Sequence, residues 1–215
     1  GYFTLLSFGP ADCRGHRIEG ATVPSEDLSD FDASLTYTSY YKFRDKCQND
    51  KQREHLETVI RHSRGEVEGD LSEVIPTLMP NPQYHEYGIF VKEHGDLGPK
   101  GMDAVRANYE EMVRNGSYVI ESNKHRVVIA DDEIVVEASY RQILTREVAA
   151  KMQLDGIDDE HDFYVLFART IVFWDFDEQG LCSEDRYVTD HRLVPIDESQ
   201  LPAHFPAHLR TASTV

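Results

Sequence analysis

Apolar residues recur at helical spacing in three places in the first half of the chain. From about Lys51, positions three and four residues apart fall on one face of a helix: Leu56, Val59, Ile60, Ser63 and Val67. A second helix begins after Asp70, and Glu73 stands at the spacing of a capping box. A third helix runs from about Met102 to Asn115 and ends before a glycine. The pattern therefore predicts three helices before the chain turns to strands.

The second half of the chain alternates polar and apolar residues with a period of two. This pattern predicts strands at 125–130, 133–144, 163–176 and 181–189, and a short strand at 83–89 precedes them. Helices followed by long antiparallel strands indicate an α+β fold, in which the helices pack on one face of a curved sheet. A strongly bent sheet leaves a cavity beneath the helices, where a small molecule can bind.

Three segments divide the chain. Residues 1–48 form an N-terminal extension, residues 49–192 the α+β domain, and residues 193–215 a C-terminal tail. The extension ends in an aromatic run: Tyr37, Tyr40, Tyr41 and Phe43. This run is interpreted either as a lid or oligomer contact, or as a simple anchor that holds the extension on the domain surface.

Composition narrows the range of partners. The chain has 215 residues, and its 22 Lys and Arg against 39 Asp and Glu give a net charge of −17. Such a charge repels phosphate backbones, so nucleic acid and anionic membranes are excluded as partners. The three cysteines, Cys13, Cys47 and Cys182, are far apart, which indicates a reduced, cytoplasmic protein without a disulfide framework.

No motif for a metal or an organic cofactor stands out. The chain has no GxGxxG, P-loop, GxSxG or HExxH motif. His204 and His208 are four residues apart, but Pro206 lies between them and no third ligand is evident. We expect a flexible tail there, no metal site and no cofactor.

The order of several short motifs resembles a known family. These motifs are Gly69-Asp70-Leu71, Asn81-Pro82, Gly101 to Val105, Phe176 to Leu181, and Glu184 to Tyr187. Together they resemble the SnoaL-like polyketide cyclases and ketosteroid isomerases of the nuclear transport factor 2-like superfamily. The resemblance covers roughly residues 50–192 and implies a cone-shaped α+β barrel with a deep apolar pocket. It does not fix the reaction, because this fold hosts several activities.

The resemblance implies roles for two residues on the helices. His62 stands where the isomerases have the tyrosine that donates to the developing oxyanion, and Tyr109 matches the tyrosine that supports this donor. The alternatives are a histidine on a helix flank and an ordinary core tyrosine. Asn108, beside Tyr109, is a further polar residue near the same surface.

The strand at 83–89 departs from the isomerase pattern. In the register that the resemblance implies, Tyr87 occupies the place of the catalytic aspartate, and His85 could serve as the base instead. Val172 occupies the place of the second acid. A simple steroid isomerisation is therefore not expected, since a tyrosine of ordinary pKa is a poor base.

The same register points further candidates into the pocket from the long strands. Glu137 and Arg141 share a face, and Asp185 and Tyr187 share a face of the last strand. Asp185 falls close to the acid that SnoaL-type cyclases use. The alternatives are an outward, solvated Glu137–Arg141 pair, and a salt bridge between Asp185 and an arginine. Trp174 is expected in the apolar wall, where it could stack on an aromatic ligand.

Two hypotheses about function follow. The first is a cofactor-independent lyase or isomerase that acts by general acid–base catalysis on a small apolar oxygenated molecule, such as a steroid, polyketide, terpene or lignin-derived aryl compound. The reaction would be a dehydration, retro-aldol cleavage, cyclisation or double-bond shift. The second is a non-catalytic binding or dimerisation module. In both cases a homodimer or higher homo-oligomer is expected.

Overall fold

The computed structural model describes residues 28–88, 98–178 and 180–210. Predictions that fall on other residues, including Cys13, lie outside the described residues. The α-helices lie at Leu35–Thr38 (α1), Asp50–Glu68 (α2), Leu71–Val74 (α3), Met102–Asn115 (α4) and Arg146–Lys151 (α5). The three predicted helices correspond to α2, α3 and α4 and are confirmed. The fold is α+β, as expected.

Local sequence explains where α2 begins and ends. The side chain of Asn49 accepts a hydrogen bond from the backbone of Gln52 at 2.8 Å, which caps the first turn. Gly69 ends the helix in a left-handed conformation with φ of 67°, which glycine adopts without steric cost. Asp70 caps α3 as predicted, by accepting from the backbone of Ser72. The reciprocal bond of a capping box does not form, because the carboxylate of Glu73 binds Arg61 and the backbone of Asp70 donates to Gly65.

One five-stranded sheet forms the other half of the fold. Its strands are His85–Gly88 (β1), Ile120–Ile129 (β2), Glu133–Thr145 (β3), Phe163–Phe176 (β4) and Cys182–Ile196 (β5). The spatial order is β1-β5-β4-β3-β2; β1 runs parallel to β5, and the other neighbours are antiparallel. Register shifts between Lys124 and Arg126, and between Phe167 and Arg169, mark bulges of the kind that bend a sheet. The expected curved, mostly antiparallel sheet is confirmed.

The last strand is longer than the sequence pattern predicts. It continues to Ile196, and the chain beyond it packs back on the domain. Leu201 and Phe205 are buried in an apolar cluster with Val119, Ile143 and Phe163. The segmentation at residue 192 remains a prediction about domains, but the strand itself crosses that position.

The part of the N-terminal extension that the structure describes is anchored to the domain. Tyr40 and Phe43 are buried in the cluster between the helices and the sheet. Thr36 bridges the edge of the sheet: its hydroxyl donates to the carbonyl of Ile120 and accepts from the backbone of Ser122. Since Thr36 and Tyr40 also line the cavity described next, this segment forms one of its walls.

Candidate functional site

A small cavity lies between α2, the segment around Tyr40 and the inner face of the sheet. Its volume is about 40 Å³, which is room for about three water-sized groups. Strands β2 to β5 contribute residues of even number, because side chains alternate along a strand and cross-strand partners share a face. Four charged side chains line it: Glu66, Lys124, Glu184 and Arg186.

Strand pairing brings the charged residues together. Glu184 lies opposite Trp174, and Arg186 lies opposite Val172. Arg186 donates to the carboxylate of Glu184 at 2.7 Å and lies 3.9 Å from that of Glu66. Lys124 enters from β2 directly before the bulge, and its amine donates to the carbonyl of Ser122 at 3.0 Å. The cavity wall therefore carries two acidic and two basic side chains.

Burial moves the pKa values of these groups toward neutrality. Burial, with the nearby Glu66, raises the pKa of Glu184 to about 7, although Arg186 opposes the change. Burial, with the nearby Arg186, lowers the pKa of Lys124 to about 7, although Glu66 opposes it. Burial also raises the pKa of Glu66. A carboxyl group and an amine in one cavity can thus each exchange a proton near pH 7.

Two buried polar atoms in the cavity wall have no hydrogen-bond partner among the described residues. One is Oε1 of Glu66, an acceptor, and the other is Nε1 of Trp174, a donor. Burial raises the pKa of the Tyr40 phenol, and the nearby indole opposes this change, but no hydrogen bond of normal geometry forms between the two side chains. Because unpaired buried polar groups are costly, these two atoms are open positions for a bound molecule.

His62 and Tyr109 form a buried network outside this cavity. The two ring nitrogens of His62 lie 2.7 Å from the hydroxyl of Thr77 and 2.9 Å from that of Tyr109, which lies 3.0 Å from the hydroxyl of Tyr84. The contact between His62 and Tyr109 is present as expected. His62 is fully buried, so a solvated position on the helix flank is wrong, whereas the alternative of a hydrogen-bonded histidine agrees with these contacts. Its catalytic role stays a prediction. Burial, with Arg186, lowers the pKa of His62 to about 3, so the imidazole is neutral at pH 7.

The two predicted strand acids do not face the cavity. Glu137 lies on the outer face of the sheet, where its oxygens meet Arg126 at 3.2 Å and Arg169 at 3.1 Å. Asp185 lies on that face too, opposite Phe173 of β4 and His85 of β1. Their predicted inward orientation is wrong, because a register shifted by one residue exchanges the two faces of a strand.

Arg141 lies on the same outer face, where it forms ion pairs that stabilise the fold. Its guanidinium binds the carboxylate of Glu121 at 2.9 and 2.5 Å and that of Asp30 at 2.7 Å. Both Arg141 and Glu121 are buried. The expected contact with a substrate in the cavity is therefore not possible from this position, and the ion pair holds Asp30 and the segment around it on the sheet.

The remaining outward residues form an aromatic surface. Tyr87 stacks on Tyr187 with ring centroids 4.5 Å apart, and Phe173 packs edge-on against Tyr187 at 5.7 Å. His85 lies at the same edge, 2.9 Å from the amine of Lys100. The inward orientation that the sequence analysis assigns to His85, Tyr87 and Tyr187 is wrong for the same reason of register.

Three other predicted positions lie near the inner face. Trp174 and Val172 line the cavity, as the apolar wall requires. Asn108 is partly buried on α4, where its amide lies 3.7 Å from the sulfur of Met112, and it does not line the cavity. The roles in catalysis or binding that the sequence analysis gives to these residues stay predictions.

The charged cluster itself was missed in the sequence analysis. A signal for it exists in β3, where Ile134, Val136, Ala138 and Tyr140 alternate with more polar residues. This alternation identifies the residues of β3 that face inward. Strand pairing places Glu184 and Arg186 of β5 on the same face. Glu66 stands seven residues after Val59 and so belongs to the buried stripe of α2. Lys124 has no comparable signal, because the bulge beside it interrupts the alternation.

Two findings bear on metals and membranes. Within residues 28–88, 98–178 and 180–210, no group of three or more His, Cys, Asp and Glu side chains is placed to hold a metal ion. In the same ranges, none of the helices combines the length and the apolar character that a membrane crossing needs. His204 packs near Phe31, and His208 lies 3.3 Å from the carbonyl of Arg114.

Comparisons with known proteins give likenesses at the level of solved structures. Neither a scan against family models nor a search of curated proteins finds a match. One similar structure is a Jannaschia sp. CCS1 protein described as SnoaL-like (13% identity; 68% of this chain and 90% of that chain covered; TM-score 0.46). A second is SalBIII, an epoxide hydrolase/cyclase-like enzyme of salinomycin pyran-ring formation (14% identity; 63% of this chain and 91% of that chain covered; TM-score 0.45).

A third similar structure is a Mycobacterium tuberculosis protein in complex with estradiol-17β-hemisuccinate (12% identity; 63% of this chain and 92% of that chain covered; TM-score 0.43). An NTF2-like protein of unknown function from Burkholderia pseudomallei is also similar (15% identity; 63% of this chain and 90% of that chain covered; TM-score 0.46). The solved structures that resemble this chain thus include NTF2-like and SnoaL-like proteins. At these identities and TM-scores, the likenesses bear on no ligand or reaction.

Proposed function

We propose that the protein is a cofactor-independent lyase or isomerase that transfers a proton within a small oxygenated molecule. The observation that carries the proposal is the presence of Glu184 and Lys124 in one cavity, each with a pKa of about 7. A general base works best when its pKa lies near the working pH. Dehydration, retro-aldol cleavage, cyclisation and double-bond shifts all require such a proton transfer.

Glu184 is the proposed base. It is buried, and the guanidinium of Arg186 holds one of its oxygens at 2.7 Å. Near pH 7 a large fraction of Glu184 is ionised and can accept a proton, and the protonated carboxyl group can return that proton elsewhere on the product. The charge of Arg186 limits the energetic cost of the ionised form in this buried position.

The cavity limits what can bind. At about 40 Å³ it is far below the roughly 300 Å³ of pockets that enclose a drug-sized ligand. A steroid or polyketide would not fit whole, so we propose a substrate of a few heavy atoms or the reacting end of a larger molecule. Trp174, Tyr40 and Tyr140 provide the walls, and the open positions on Glu66 and Trp174 provide hydrogen bonds.

A panel of small alcohols, hydroxyketones and aldehydes, with matched aryl derivatives, tests this proposal. Wild-type protein should convert at least one of them at a rate above that of the buffer, without any added metal or cofactor. Product formation would be followed by NMR. If no member of the panel is converted between pH 6 and 8, the enzymatic proposal fails and the binding module becomes the better account.

The alternative, a dimerisation module, is favoured by one observation on the opposite face of the sheet. The aromatic surface around Tyr187 continues to Ile171, and these two side chains are 37% and 41% exposed. Apolar surface of this kind is typical of an interface. We propose that a second copy of the chain covers this face, and this dimer is compatible with either function.

Ile171→Arg is expected to weaken this assembly. Sedimentation or light scattering should give wild-type protein a mass of twice 24.6 kDa, and the variant should shift toward the single-chain mass, because a charge would be buried in an apolar contact. Ala107→Arg is the matched control, since Ala107 lies exposed on α4, away from this face of the sheet. A single-chain mass for the wild type would contradict the dimer.

A cytoplasmic location forms part of the same proposal. The two described cysteines, Cys47 and Cys182, are free thiols, which suits a reducing compartment. The net charge of −17 continues to argue against nucleic acid and anionic membranes as partners.

A further inference from the structure

Lys124 has an unusual environment for a lysine. Its side chain lines the cavity and is 4% exposed. The amine donates one hydrogen bond, to the carbonyl of Ser122, and lies 4.9 Å from the centre of the Tyr40 ring. Among the described residues, no carboxylate oxygen lies within 4.0 Å of it.

A buried amine without an ion pair favours the neutral form. Removing an ammonium group from water is costly, and the positive charge of nearby Arg186 adds to that cost. The more distant carboxylates of Glu66 and Glu184 offset the cost only in part, so that the pKa of Lys124 is still lowered. The neutral amine carries a free electron pair and is a nucleophile. Enzymes that form Schiff bases use a lysine that is desolvated or that lies next to another cationic group. The lowered pKa of Lys124 supports the same conclusion.

We propose that Lys124 forms a Schiff base with the carbonyl carbon of an aldehyde or ketone substrate. This inference rests on the proposed function and specifies its substrate class. The amine nitrogen forms a bond to the carbonyl carbon, and the carbonyl oxygen becomes a hydroxyl group in the resulting carbinolamine. Taking up one further proton, this hydroxyl leaves as water, and a protonated imine of Lys124 remains. No oxidant, reductant or metal is needed to balance these steps.

The open positions of the cavity fit the carbinolamine. Its hydroxyl group offers one donor and one acceptor, and the cavity wall offers the complementary pair, Oε1 of Glu66 and Nε1 of Trp174. The hydroxyl of the intermediate can thus donate to Glu66 and accept from Trp174.

Glu184 then acts on the imine. The protonated imine withdraws electrons and acidifies the C–H bond of the neighbouring α-carbon. If the β-carbon carries a hydroxyl group, the bond between the α- and β-carbons can break instead, as in a retro-aldol cleavage, and the β-carbon leaves as an aldehyde or ketone. In the first case the carboxylate of Glu184 takes the carbon proton, and in the second it takes the hydroxyl proton. An enamine results in both cases. Protonation of the enamine carbon and addition of water release the product and restore the amine of Lys124.

Reductive trapping tests the proposal directly. The full chain would be incubated at pH 7 with acetone and sodium cyanoborohydride, which reduces a protonated imine to a stable isopropyl amine. Peptide mapping by mass spectrometry then measures the labelling rate of each lysine. We expect Lys124 to be labelled about tenfold or more faster than the exposed Lys51, because burial in the cavity favours the neutral, nucleophilic form of its amine.

The pH dependence separates a reactive amine from one that is merely buried. Labelling of Lys124 should reach its half-maximum near pH 7, where burial places the pKa of its amine. The groups that face Lys124 are Glu66, Glu184, Arg186, Tyr40 and Tyr140. Of these, Glu184 has a pKa raised to about 7, so Glu184→Gln should shift the midpoint for Lys124.

The outcomes of trapping and of turnover are distinguishable. Fast labelling of Lys124 supports the inference even if no substrate of the panel is converted, in which case only the proposed function fails. Turnover without labelling of Lys124 overturns the inference and leaves the proposed function standing. Labelling of Lys124 no faster than of Lys51, or none at all in folded protein, also overturns it.

Discussion

Glu184→Gln is expected to lower turnover by about 10²–10⁴-fold on any substrate that the panel identifies. The substitution keeps the size of the side chain and an oxygen that can accept from Arg186, but removes the group that takes the proton. Substrate affinity should change much less than turnover, because glutamine can still fill the same space. Steady-state rates of the wild type and the variant between pH 5 and 9 measure the effect.

Glu137→Gln is the matched control. Glu137 lies on β3 but faces outward between Arg126 and Arg169, so its replacement removes only partly exposed ion pairs. Its turnover should stay within about twofold of the wild type. Equal losses in the two variants would mean that the effect on Glu184 is structural, and an unchanged rate in Glu184→Gln would remove this residue from the mechanism.

His62→Ala is expected to destabilise the folded protein by about 3–5 kcal/mol. The substitution removes a fully buried ring and leaves the hydroxyl groups of Thr77 and Tyr109 without this partner. It also removes the ring that packs edge-on against Trp174 at 5.2 Å. Urea unfolding at pH 7 measures the change in the free energy of unfolding.

The same variant should alter how stability depends on pH. The pKa of His62 is about 3 in the folded protein and near 6.5 when unfolded, so the folded state binds fewer protons between these values. The stability that this neutral histidine contributes is therefore present above pH 6.5 and is lost as the pH falls toward 3. The stability of His62→Ala does not depend on this titration. The difference in free energy of unfolding between the wild type and the variant should therefore decrease by roughly 2–3 kcal/mol between pH 7 and pH 4.

A histidine that is exposed serves as the control for His62. His191 lies exposed on β5, and His191→Ala should change the free energy of unfolding at pH 7 by no more than about 0.5 kcal/mol. Two results together would contradict this prediction: a loss of less than about 1 kcal/mol of unfolding free energy in His62→Ala, and a dependence of its stability on pH that parallels the wild type. The buried network would then contribute little to stability.

The helices and the sheet could be predicted from the sequence because each depends on local periodicity. The apolar stripe of α2 and the alternation in β3 are both visible in the sequence, and the hairpin at Asp131-Asp132 forms as predicted, with the backbone of Ala130 donating to the carbonyl of Glu133. Beyond residue 189 the alternation weakens, and for that reason the extent of β5 to Ile196 was not predicted.

The candidate site could be predicted only in part, because it depends on which face of each strand is buried. In β5 the sets Glu184 with Arg186 and Asp185 with Tyr187 are equally mixed in polarity, so the sequence of that strand does not choose between them. The register taken from the resemblance chose the wrong set. The alternation in β3 gives the right face, since its apolar residues have even numbers, but only the observed pairing carries this choice to β5.

The central claim is that the cavity holds a carboxyl group that titrates near neutral pH. Carbon-13 NMR of protein labelled at the glutamate side-chain carboxyl carbons follows each glutamate through a pH titration, and comparison with Glu184→Gln assigns the resonance of Glu184. The account predicts that this resonance titrates with a midpoint near pH 7, against an ordinary value near 4.5. A midpoint for Glu184 below about pH 5, within the range of exposed glutamates, would contradict it.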